Sequence, residues 1–233
     1  MIKISIHKLI TVFLVFAFSM SAFAELEVQI SKTSYDGIHI YLDKIPGGDN
    51  GIIEADLKRS VRFTIVDRAK IPNISPYGGT IKGGEYNAIT DYIVRGKPLN
   101  GGLEIELIST SDNAKTQYTI SSNVNPRRVA HKAADKIYEK ITREKGAFDT
   151  RLAYVTVTDK TSDNRVFRLY VSDADGHKPQ VVLTSRLPIM SPAWSPNANE
   201  LASVSFEENS SAIYIQNIFT GEKRQRSARE GIM

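Results

Sequence analysis

Hydrophobic and polar positions alternate along this chain with two periods, and the switch between them divides it. Period-two stretches predict half-buried strands, and stretches with apolar residues three and four apart predict helices. Ile38 to Leu42 is a short strand, and Phe63 to Val66 another. Between them Ile53, Leu57 and either Ser60 or Val61 form the buried stripe of a helix over 52–60, capped by Asp49 or Asn50. Tyr92 to Lys97, Leu103 to Ile108 and Thr116 to Ser121 are three further strands. Asn100-Gly101-Gly102 signals a hairpin between the first two. Leu103, Ile105 and Leu107 share one face of the middle strand. Glu104 and Glu106 share the other, which the alternation assigns to solvent. The proline- and glycine-rich segment 71–85 is a loop.

The clearest helix starts at Asn125-Pro126, an N-cap followed by a proline whose missing N–H costs nothing there. Val129, Ala133, Ile137 and Ile141 make its stripe, flanked by Ala130, Ala134 and Tyr138, and Gly146 is the expected C-cap. After Gly146 only strands follow: Arg151 to Thr158, Phe167 to Ser172 and Gln180 to Leu183, with Asp173-Ala174-Asp175-Gly176 as the turn between the last two. The pattern then recurs. Leu152-Ala153-Tyr154-Val155 returns as Leu201-Ala202-Ser203-Val204, and Leu169-Tyr170-Val171 as Ile213-Tyr214-Ile215, at offsets of 49 and 44 residues. Such spacing suits four-stranded propeller blades of roughly 40–45 residues. Ser191-Pro192-Ala193-Trp194-Ser195-Pro196 forms a proline turn at the joint of the first and second blades. The alternation fades after Arg224. The fold class is therefore α+β: an α/β domain with about two main helices on a sheet over 25–146, then an incomplete all-β propeller of about two blades over 151–233. A closed ring needs at least about four blades, so the expectation is a truncated or frameshifted reading frame, or a fragment.

The leader changes the compartment. Lys3, His7 and Lys8 precede the apolar run Leu9 to Met20, and Ala22-Phe23-Ala24 is a small-x-small cleavage site. These predict a secretory signal peptide over 1–24, cleaved after Ala24. Two lysines leave with it, so 28 basic residues face 26 acidic ones in the mature chain. So small an excess points to no nucleic-acid partner. The basic face Arg127, Arg128, Lys132, Lys136 and Lys140 is interleaved with Asp135, Glu139 and Glu144, as on a solvated helix. The mature N-terminus, Glu25-Leu26-Glu27-Val28-Gln29-Ile30, alternates. It is either an ordinary first strand or a peptide that adds to a partner's sheet edge.

Catalytic chemistry is scarce. The chain has no cysteine, which removes thiol catalysis and thiolate metal sites. His39, His131 and His177 fall in different elements without ligand spacing. H-E-x-x-H and G-x-S-x-G are absent. The glycine-rich turn 47–51 lacks the G-x-G-x-x-G and Gly-Lys-Ser/Thr spacings of phosphate loops. Neither a catalytic residue, a cofactor nor a metal is expected.

Three stretches together resemble the TolB family. They are Gly51-Ile52-Ile53-Glu54-Ala55-Asp56-Leu57 with Phe63 and Asp67-Arg68, then 145–155 (Lys-Gly-Ala-Phe-Asp-Thr-Arg-Leu-Ala-Tyr-Val), and the 191–196 motif. Asn197-Ala198-Asn199 departs from the family's Pro-Asp-Gly, though asparagine tolerates the positive φ such a turn needs. The resemblance implies an α/β domain followed by a six-bladed propeller and a non-enzymatic periplasmic scaffold of the Tol–Pal system. In that family the propeller binds the outer-membrane lipoprotein Pal, and the mature N-terminus binds the C-terminal domain of TolA. Carried over, the TolA-binding segment is Glu25, Leu26, Glu27, Val28, Gln29 and Ile30, extending toward Tyr35. The Pal contacts of the family lie on later blades, so Pal binding by this chain is expected to be weakened or lost. Alternative readings are the remnant of a propeller-bearing hydrolase, or a free-standing binding module.

Overall fold

A computed structural model describes residues 37–121, 125–158, 164–206 and 211–228. The proposed leader and the Glu25–Ile30 segment lie outside the described residues.

Strand β1 (Ile38–Leu42), helix α1 (Asn50–Arg59) and strand β2 (Phe63–Ile65) form a crossover unit, with β1 and β2 parallel and Ile38 opposite Phe63. Asp49 is the cap: its carboxylate accepts from Ile52 N at 3.2 Å. Asn50 instead braces the preceding turn through the backbone N–H and C=O of Ile45. The buried face of α1 is Ile52, Ile53, Asp56 and Leu57. Neither Ser60 nor Val61 extends it. Ser60 closes the helix by donating its hydroxyl to Leu57 O, and Val61 is 77% exposed at φ 60°.

Strands β3 (Tyr92–Leu99), β4 (Gly102–Ser109) and β5 (Lys115–Ser121) make an antiparallel meander, and β3 runs parallel to β1. The sheet order is β2-β1-β3-β4-β5. Helix α2 (Pro126–Thr142) packs with α1 on one face. Ile40, Leu42, Val94, Leu103, Ile105 and Leu107 point from the sheet into that core, where Val129, Ala133 and Ile137 of α2 meet them. Asn125 caps α2 by accepting from Arg127 N. The C-cap is Arg143 in the left-handed region at φ 64°, rather than Gly146.

The other face of this sheet is not open to water. Residues 66–91 fold across it and bury Tyr41, Val66, Ile71, Ile93 and Ile108 beneath Ile74, Ile81, Tyr86 and Ile89. Glu106, assigned to solvent by the alternation, is therefore fully buried, opposite the equally buried Arg95. Arg95 donates to Glu106 and also to the carbonyls of Ser75, Pro76 and Gly79, so one guanidinium gathers the loop onto the sheet. Burial opposes ionisation of Glu106. Hydrogen bonds from Lys115 and Arg95 outweigh it and hold the carboxyl below its usual range. Glu104, its neighbour in the alternation, pairs with Lys97 at the less buried end of the hairpin.

The rest is β. Strands β6 (Arg151–Thr158), β7 (Val166–Asp173) and β8 (Gln180–Ser185) form one antiparallel sheet. Strands β9 (Ile189–Trp194), β10 (Glu200–Ser205), β11 (Ala212–Asn217) and β12 (Lys223–Ala228) form a second. Leu169 and Val171 of the first sheet share a core with Ile189 and Leu201 of the second, as stacked blades do. The two sheets do not close a ring.

Two details differ from the sequence reading. The two-proline motif is a turn only in its second half: Ile189–Trp194 is a strand, with Ser191 at φ 50° and a register shift opposite it between Ala202 and Val204, and Ser195-Pro196 open the turn that follows. The chain reverses later, at 195–199. Lys223–Ala228 is also a strand, despite its lost alternation, because it pairs along β11 as the outermost strand. An edge strand there needs backbone partners rather than an apolar face.

Candidate functional site at the junction of α2 and the first blade

The described residues bring their densest charged cluster together where α2 meets the turn between β7 and β8. Helix α1 places Asp56 on its inner face, and α2 places His131 against it. The imidazole Nδ1 lies 2.6 Å from an Asp56 carboxylate oxygen. Both side chains are about 2% exposed or less. Arg59 donates to the other Asp56 oxygen. One turn earlier on α2, Arg127 donates to Asp175, and its Nε sits 3.8 Å from Asp173. Asp175 also accepts from His177 N at 3.0 Å, and its second approach is His131 Nε2 at 3.8 Å.

The electrostatics follow from these contacts. The Asp56 hydrogen bond raises the His131 pKa above the ordinary imidazole value, against the opposing effect of burial. Burial works against ionisation of Asp175 as well. The His177 N–H and the Arg127 guanidinium outweigh it and lower its pKa. The oxygens of Asp173 and Asp175 and a ring nitrogen of His131 lie within 4.8 Å of one another, a spacing that could hold a cation. Arg127 already sits on those carboxylates and supplies the positive charge, so the cluster is an ion-pair network.

Beside it opens a cleft of about 470 Å³, lined by Arg128, Asp149, Arg151, Trp194 and Phe219 among others. Arg128 grips Asp149 through two bonds of 2.9 and 3.0 Å. The Arg151 guanidinium lies 5.1 Å from the Trp194 ring centre and 5.4 Å from that of Phe219, and it donates to Ala198 O at 2.8 Å. Gly146 permits this geometry: a Cβ there would come within 2.7 Å of the Asp135 Cα. The Asp135 carboxylate in turn receives the backbone N–H groups of Phe148 and Asp149. The hydroxyl in the cleft, on Thr150, donates to Ala147 O. The arrangement positions two units of structure and offers an aromatic and guanidinium surface. It places no nucleophile beside a base among the described residues lining it.

The basic face of α2 is thus only partly solvated: Arg127 and Arg128 are structural ion pairs, while Lys136 pairs with Glu139 on the surface. Sequence reasoning missed Asp56 and His131. The signal was present, because Asp56 occupies a helical position between Ile53 and Leu57, where a solvated carboxylate does not belong.

Comparisons with known proteins place this geometry. The family model described as the TolB beta propeller domain matches residues 138–233. The Tol-Pal system protein TolB of Methylococcus capsulatus is 37% identical over 225 residues, covering 90% of this chain and 52% of that protein. TolB of Xylella fastidiosa (strain M12) is 39% identical over 192 residues, covering 78% and 43%. The crystal structure of TolB from Acinetobacter baumannii superposes with a TM-score of 0.72 at 31% identity, over 84% of this chain and 50% of that one. The chain belongs to the TolB family. It spans about half the length of the curated relatives it matches. The span matched by the family model begins within α2 and takes in both sheets of the propeller part. No described helix is long and apolar enough to cross a membrane.

Proposed function

We propose that this chain acts as a non-enzymatic scaffold of the Tol–Pal system in the periplasm, linking TolA to the outer-membrane lipoprotein Pal. The observation that carries the reading is the 37% identity to a Tol-Pal system protein over 225 residues, together with the superposition on a TolB crystal structure. The composition of the junction supports a binding role, since its charged groups are spent on one another rather than on a reacting centre. In this reading the chain is exported with cleavage after Ala24. Residues 25–146 form an α/β domain and 151–233 the propeller part. Glu25, Leu26, Glu27, Val28, Gln29 and Ile30 add as a strand to the C-terminal domain of TolA, where main-chain hydrogen bonds supply affinity and alternate side chains supply specificity. The scaffold assists outer-membrane integrity and constriction at cell division.

The test is calorimetric. The chain without its leader is titrated into the C-terminal domain of TolA, beside a variant lacking residues 25–30. Saturable binding that disappears in the variant is expected. No heat at high micromolar concentration, or equal binding by both, overturns the assignment. Pal is expected to be retained more weakly by this 233-residue polypeptide than by a six-bladed relative, and pull-downs of equal input check it.

A further inference from the structure

Two buried polar atoms at the junction have no hydrogen-bond partner among the described residues: His131 Nε2 and Arg127 Nε. Each faces a carboxylate of the same turn at the same distance. His131 Nε2 lies 3.8 Å from Asp175, and Arg127 Nε lies 3.8 Å from Asp173. A hydrogen bond needs about 2.7–3.2 Å, so a small rearrangement of the turn's side chains around the Arg127–Asp175 bond already made, closing each gap by roughly 1 Å, would satisfy both. An unpaired buried polar group is costly, which gives that movement a driving force.

The charges say what triggers it. From α1 the imidazole faces Asp56, itself bonded to Arg59. From α2 come Arg127 and, one turn on, Asp135, which is held by the N–H groups of Phe148 and Asp149. From the turn come Asp173 and Asp175. Arg128 and Asp149 are closed on each other. Around the ring, then, the four carboxylates of Asp56, Asp135, Asp173 and Asp175 outnumber the guanidiniums of Arg59 and Arg127 by two. Neutral His131 donates Nδ1–H to Asp56 and turns the Nε2 lone pair toward the Asp175 carboxylate, acceptor against acceptor. Protonated His131 carries a second donor and halves that excess.

We propose that His131 is a proton-operated catch between the α/β sheet and the first blade. Protonated, it bridges Asp56 and Asp175 and draws the 173–176 turn onto α2. Deprotonated, it leaves the turn to Arg127 and to the backbone bond from Ala174 N–H to Thr150 O. The direction follows from linkage. Because Asp56 raises the His131 pKa in the folded chain, the stabilisation is complete below about 6.5, the free imidazole value, and is lost as pH rises through the folded pKa.

The chain carries one tryptophan, and Trp194 shares its cleft with Asp173, so it reports on the turn directly. Its emission is followed from about pH 6 to 9, beside an NMR titration of the His131 ring in the same chain. A single emission transition is expected, with its midpoint on the His131 pKa and above about 6.5. His131→Gln should abolish the transition. Asp175→Asn, with unchanged far-UV circular dichroism, should keep the fold and lower the His131 midpoint. Emission that is flat in the wild type, a transition that survives in His131→Gln, or a His131 midpoint unmoved in Asp175→Asn each overturns the proposal.

Discussion

Ala198 sits at φ 55° in the turn after β9, in the left-handed region where an L side chain is strained. The asparagines on either side do not take that conformation. Asn197 instead uses its side-chain oxygen to accept from Ser195 Oγ and Asn199 N, closing the turn around Ala198. Glycine at this position removes the strain, and the Arg151 bond to the carbonyl does not need a side chain. Ala198→Gly is expected to stabilise by about 1 kcal/mol, partly offset by the freer unfolded chain. For a chain of this size that is a rise of roughly 2–4 °C in Tm, measured by circular dichroism. Glu106 shows the converse at the same scale. Its place in a period-two strand predicted solvent, yet it is buried with Arg95, because apolar residues of the 66–91 segment, from Val66 to Ile89, cover that face. Alternation reports which residues share a face, and says nothing about what lies on top of it.

Among the elements, α2 was the most legible. Its cap, its stripe and its start at Pro126 all agree with the structure, since each depends on residues within one or two turns. Its end was misread for a physical reason. Gly146 looked like a left-handed cap, but the cap is Arg143, and Gly146 is needed for close approach to Asp135. The segment after α2 passes so near Asp135 that any Cβ at 146 collides with its Cα. Gly146→Ala is therefore expected to cost about 1–3 kcal/mol, the range for overpacking a filled site. It should also loosen the bonds from Phe148 and Asp149 N–H to Asp135. Urea unfolding gives the first, and amide exchange at 148 and 149 the second. β9 failed for the opposite reason: two prolines and a tryptophan suggested a turn, while pairing with β10 across a bulge made a strand.

For the whole molecule, the second propeller sheet has one face packed on the first, while the other carries exposed apolar side chains among the described residues. Met190 is 51% exposed and Ile213 is 41% exposed, and they flank Val204 across three adjacent strands. Exposed apolar sheet faces of this kind drive association. Met190→Lys combined with Ile213→Lys is expected to reduce self-association of this polypeptide in analytical ultracentrifugation, with the circular dichroism spectrum retained. An unchanged sedimentation profile would show that the face is not sticky. By itself the sequence determined the strands other than β9 and β12, the two helices, the repeat of the blades and the family, because these rest on local periodicity, caps and motifs of adjacent residues. The tertiary structure alone decided that residues 66–91 cover the sheet over Arg95 and Glu106, and that Asp56, Arg127, His131, Asp173 and Asp175 meet at one joint. Those groups stand up to about 120 positions apart in the chain. Only the packing of α1, α2 and the first blade brings their charges close enough, in a medium dry enough, for Asp56 to raise the His131 pKa and for the His177 N–H and Arg127 to lower that of Asp175.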